Sequence, residues 1–129
     1  MSLILQLADA DGNLLQESFV VLDDELLEYF SSLDGFPVFR RFRDFDPSDD
    51  TPVDEQVRVA LEREVAELAA RVRRREVPEP PPWVGLEGLN DIRLGEEFGW
   101  TGLLHLLQRV EHLLHLSRTL GMEVWALGE

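Results

Sequence analysis

The sequence predicts an α+β fold in which a three-stranded, mostly antiparallel sheet packs against two long helices. Three observations predict it. Two β-leaning runs flank an Asp-Gly turn near the start, two stretches of helical apolar spacing occupy the middle and the later part, and a short β-leaning run closes the chain.

The first pair of strands is Leu3 to Ala8 and Leu14 to Leu22, joined by Asp9-Ala10-Asp11-Gly12-Asn13. Gly12 supplies the positive φ that a tight connection needs, so the two runs read as a β-hairpin. Asp23 or Asp24 then caps a short helix over Glu25 to Leu33, with Leu26, Leu27, Phe30 and Leu33 at helical spacing and Asp34-Gly35 as its stop. The segment from Phe36 to Asp50 reads as an irregular loop anchored by Phe36, Phe39, Phe42 and Phe45 and bracketed by Pro37 and Pro47. Arginines between those rings suggest base stacking, but Asp44, Asp46, Asp49 and Asp50 would repel a nucleic-acid strand.

Thr51-Pro52-Val53-Asp54 has the form of a helix start, with Thr51 as N-cap, Pro52 in the first position and Asp54 near the positive end of the dipole. The predicted helix runs from about residue 52 to 76. At roughly 100° per residue, Val57, Leu61, Val65, Leu68 and Val72 fall within an arc of about 80°, a narrow seam. Asp54-Arg58 and Glu67-Arg71 are i,i+4 pairs, and Arg71, Arg73, Arg74 and Arg75 sit where a helix C-terminus favours cations.

Pro78, Pro80, Pro81 and Pro82 impose an extended connector over 78–82 within one domain spanning 1–129. Arg75, Pro78 and Pro81 also match the basic-then-PxxP spacing read by aromatic grooves; a rigid spacer accounts for the prolines equally well. Residues 84–99 are weakly patterned. A second long helix is predicted from about Thr101 to Leu120, with Leu103, Leu106, Leu107, Val110, Leu113, Leu114, Ser117 and Leu120 on an arc of about 140° and Gly121 as its stop. Met122 to Leu127 reads as the last strand.

The chain has 129 residues and a formal charge of −14, from 26 acids against 12 arginines and no lysine. Such a charge repels phosphate backbones and anionic lipid, so direct nucleic-acid or membrane contact is not expected. With no cysteine, disulfides, thiolate metal sites and cysteine nucleophiles are excluded. No secretory signal and no spanning helix is readable, so a soluble, cytoplasmic protein is expected. There is no phosphate-binding Gly-x-x-x-x-Gly-Lys motif and no Gly-x-Ser-x-Gly context. No enzyme activity and no cofactor is expected.

Two metal readings compete with simpler ones. His105, His112 and His115 lie on the polar side of the second long helix; His112 and His115, one turn apart, have the spacing to share an ion, while His105 lies too far along the axis. Two more ligands would be required, and solvated histidines are the expectation. Asp44, Asp46, Ser48 and Glu55 fall at positions one, three, five and twelve of a calcium loop, but Asp49 stands where that loop needs glycine.

The Asp11-Gly12 hairpin, the Phe36-Pro37 and Asp46-Pro47-x-Asp49-Asp50-Thr51 segments, and the closing helix and strand resemble small bacterial proteins with no assigned activity. In size, acidity and α+β order the chain is also similar to immunity proteins and antitoxins, a likeness of type that implies a basic toxin as partner and carries over no residue.

The function expected is therefore that of an acidic binding protein that docks on a basic protein partner. Two patches are the candidate contacts: Asp44, Asp46, Asp49 and Asp50, and Asp23, Asp24, Glu25 and Glu28. Residues 1–50 hold 12 acids against 3 arginines, a local charge of −9. The alternative is a self-associating subunit, a homodimer through the Val57-Leu61-Val65-Leu68-Val72 seam.

Overall fold

The structure is a computed structural model that describes residues 3–42, 51–81, 85–87, 92–93 and 99–128. Chain order is β1 (Leu3–Ala8), β2 (Leu14–Leu22), α1 (Asp24–Ser32), α2 (Pro37–Phe42), β3 (Thr51–Pro52), α3 (Glu55–Arg73), β4 (Gly85–Glu87), β5 (Ile92–Arg93), α4 (Trp100–Leu120) and β6 (Glu123–Gly128). The fold is α+β. The expected three strands form the centre of the sheet, β6-β1-β2, all antiparallel; β3 extends it beyond β6, and β4 then β5 beyond β2.

Side chains on the helix-facing side of the sheet follow the period of two that a strand imposes. Leu3, Leu5 and Leu7 of β1, Val20 and Leu22 of β2, and Val124 and Ala126 of β6 are all buried. Register brings them together: Leu5 lies opposite Val20 on one side and Ala126 on the other. This face receives α4, whose Leu103, Leu106, Leu107, Val110, Leu113 and Leu114 are buried, and α3 packs on α4. Leu61, Val65, Leu68 and Val72 are buried at 0–2% exposure in that arrangement. The narrow seam of α3 is thus spent inside the chain, and self-association would require another surface.

The β1–β2 turn is built as the sequence dictates. The Asp9 carboxylate accepts from the backbone N–H groups of Asp11 and Asn13, and Gly12 takes φ +83°. Asp23 rather than Asp24 caps α1, its carboxylate accepting from the Leu26 amide at 2.9 Å.

Three local expectations are corrected. Phe36 to Phe42 is not loop throughout: Pro37–Phe42 is helix α2, placed by Phe39 packing against Phe30 and Phe36 and by Glu64 of α3. Thr51 is not the cap of α3. Thr51 and Pro52 pair with Ala126 and Trp125 of β6, and Asp54 is the N-cap, accepting from Val57 N–H at 2.8 Å. With Asp54 engaged as a cap, Arg58 pairs with Glu55 instead, at 3.8 Å. The weakly patterned 84–99 stretch contributes β4 and β5.

Helix α3 ends in a Schellman arrangement, Arg75 N–H donating to Val72 O and Glu76 N–H to Arg71 O. Its left-handed residue is Arg75, φ +53°, and the guanidinium of that residue lies 4.9 Å from the centre of the Trp100 ring. At the end of α4 the same role falls to Gly121, φ +66°.

Candidate functional site

Helix α1 divides into two faces. Leu26, Leu27, Tyr29 and Phe30 are buried, whereas Asp24, Glu25 and Glu28 are exposed. Asp24 and Glu28 are one turn apart and Glu25 lies beside Asp24, so three carboxylates share the outer surface of the first turns. Asp23 is half-buried, held by its cap bond to Leu26. The helix contains no basic residue. Beyond its C-terminal end the sign changes: Arg40 of α2 donates from Nε to the Ser31 carbonyl at 3.3 Å and lies 3.6 Å from the Asp34 carboxylate. The structure therefore brings Asp23, Asp24, Glu25 and Glu28 to one end of one helix. Asp44, Asp46, Asp49 and Asp50 lie outside the described residues.

A second constellation sits between α3 and α4. A groove of about 430 Å³ is lined by Glu62 and Ala66 of α3 and by Gln108, Glu111, His112, His115 and Arg118 of α4. Arg118 crosses it, lying 3.5 Å from Glu62 Oε2 and 3.2 Å from His115 Nδ1. Arginine has donors only, so a hydrogen bond at this contact requires His115 Nδ1 as the acceptor, which corresponds to the Nε2–H tautomer.

The three histidines are exposed, as the helical wheel expects, but only His112 and His115 line the groove. Among the described residues no group of three or more His, Asp or Glu side chains is arranged to hold a metal ion. The calcium pattern falls mostly outside the described residues; its last member, Glu55, is in the first turn of α3 beside Arg58.

Sequence reasoning missed the polar side chains that cross between elements. Glu62 reaches Arg118, and Arg58 Nη1 donates to Ser117 Oγ, which donates in turn to the Met122 carbonyl. Ser117 was legible as part of the apolar arc of α4, yet its place there reflects a hydrogen bond that ties the helix end to the start of β6. Arg58 Nε and Glu62 Oε1, one turn apart on α3, are buried without a hydrogen-bond partner among the described residues.

No family model, curated protein or solved structure matches this chain. Among the described residues no helix is long and apolar enough to cross a membrane.

Proposed function

We propose that this protein is a non-enzymatic binding protein whose acidic surface docks on a basic protein partner, in the manner of an immunity protein on its toxin. The observation that carries the reading is the two-faced helix α1, which anchors its apolar side in the core and holds Asp24, Glu25 and Glu28 outward on a rigid element. Carboxylates fixed on a helix lose little further freedom on binding, and the −14 charge of the whole chain speeds encounter with a cation-rich surface. Asp44, Asp46, Asp49 and Asp50 belong to the same proposal as a second acidic contact.

The test is a salt titration of the complex with the basic partner, comparing the native chain with a variant carrying Asp24→Asn, Glu25→Gln and Glu28→Gln. Affinity should fall steeply as ionic strength rises from about 0.05 to 0.5 M, and the neutralised variant should bind at least about tenfold more weakly with a shallower salt slope. A partner held equally by both proteins at both salt concentrations overturns the reading.

A further inference from the structure

Exposure along Val77 to Pro81 repeats every three residues. Val77 and Pro80 are buried, while Pro78, Glu79 and Pro81 are exposed. A period of three is that of a polyproline II helix, and the covalent chemistry of the segment enforces it. Pro78, Pro80 and Pro81 fix their own φ near −65°, and Val77, Glu79, Pro80 and Pro81 each precede a proline and are driven to extended backbone.

The inner edge of this segment is fastened to the body of the protein. Tyr29 Oη donates to the Pro78 carbonyl at 2.7 Å, and Trp100 Nε1 donates to the Val77 carbonyl at 3.2 Å. Glu79 turns its carboxylate toward Gly99, where an added Cβ would lie 2.9 Å from Oε1. On the neighbouring Trp100 ring rests the Arg75 guanidinium. Arg75, Pro78, Glu79 and Pro81 are exposed; the rings of Pro78 and Pro81 share one edge, about 9 Å apart at ~3.1 Å per residue, and Arg75 precedes that edge at the end of α3.

We propose that Arg75, Pro78 and Pro81 form a preorganised docking edge for a polyproline-reading domain, one with an aromatic-lined groove for the two prolines and an acidic pocket for the arginine. Free proline-rich peptides lose backbone freedom when they bind; here Tyr29 and Trp100 have already removed it, so the ordering cost is met in the folded chain. The positive charge of Arg75 selects the acidic pocket. Burial of Val77 and Pro80 selects further, because a groove that must also enclose those two side chains cannot close on this edge. The contact uses none of the α1 carboxylates and is independent of the docking proposed above.

The experiment titrates the full isotope-labelled chain with a panel of purified SH3, WW and EVH1 domains that carry an acidic pocket, following the Trp100 indole signal and the backbone around residues 75–81. At least one domain should shift those signals saturably, and Pro81→Ala and Arg75→Gln should each weaken binding about tenfold without altering the thermal melt. The variant with Asp24→Asn, Glu25→Gln and Glu28→Gln should bind as the native chain does. The proposal is overturned if no domain in the panel shifts these signals, if both Pro81→Ala and Arg75→Gln bind unchanged, or if binding is lost only in the α1 variant.

Discussion

Both carboxylate oxygens of Glu64 lie within hydrogen-bonding distance of the Val38 amide nitrogen, at 3.0 and 2.9 Å. Oε1 also accepts from the Phe39 amide at 3.1 Å, and the Glu64 side chain is buried. A glutamate in the middle of α3 thus caps the start of α2, satisfying amides that a helix leaves unpaired and placing negative charge at the positive end of the short dipole.

Replacing Glu64 should therefore cost more than an average substitution. Glu64→Ala leaves buried amides without an acceptor, and a loss of about 3 kcal/mol is expected; Glu64→Gln keeps one acceptor oxygen and should lose about half as much. Urea unfolding of the two variants checks the order, and equal stability of Glu64→Ala and the native protein would remove the capping role.

Tyr29 links stability to alkaline pH. Burial pushes its hydroxyl up to about 12, from an ordinary value near 10. Because the folded value is the higher one, the stabilisation is complete below pH ~10 and is lost as pH rises toward ~12. Tyr29 is the sole tyrosine, so absorbance at ultraviolet wavelengths reports its ionisation directly. Tyr29→Phe should lose about 1 kcal/mol at neutral pH, from the bond to Pro78, and should abolish the part of the alkaline decline that follows the tyrosinate absorbance.

His115 offers a check on the α3–α4 groove. Its Nδ1 lies 3.2 Å from an Arg118 nitrogen that can only donate, so nitrogen-detected NMR of the neutral imidazole should find the Nε2–H tautomer for His115. Arg118→Met removes the donor, and the tautomer preference of His115 should then relax toward that of His105, an exposed histidine that does not line the groove.

The interior seam predicts a contrast between two leucines. Leu61→Ala, at 0% exposure between α3 and α4, should destabilise by about 2–5 kcal/mol, whereas Leu120→Ala, at 59% exposure, should stay within about 0.5 kcal/mol of the native protein. Thermal or chemical unfolding measures both.

The parts of the fold that are legible in the sequence are those set by local pattern. Gly12 and Asp9 specify the hairpin turn, the β-leaning runs that flank it specify β1 and β2, and the wide leucine arc with Gly121 specifies α4 almost to the residue. What escaped was decided at a distance. Thr51-Pro52 carries good cap chemistry, but pairing with β6 drew it into the sheet and left the cap to Asp54. Pro37 to Phe42 is too short to declare itself by periodicity; its helix depends on a carboxylate from α3. The signal for that carboxylate was present, since Glu64 falls only about 20° outside the apolar arc of α3 on a helical wheel. Of the candidate site, the acidic face of α1 follows from composition and helical spacing, whereas the groove between α3 and α4 required knowing which sides of the two helices meet.

The position of β1 governs the order in which this molecule can be completed. Its two neighbours are β2, which follows directly, and β6, with Leu3 opposite Gly128. During synthesis the hairpin can form early, but one flank of β1 waits until β6 has emerged from the ribosome, and closing so large a loop is entropically expensive and slow. Until then an apolar strand has open backbone donors and acceptors, the condition under which nascent chains stick to one another. A truncated product that stops before Glu123 would carry that exposed flank permanently and should be recovered as aggregate rather than as soluble protein.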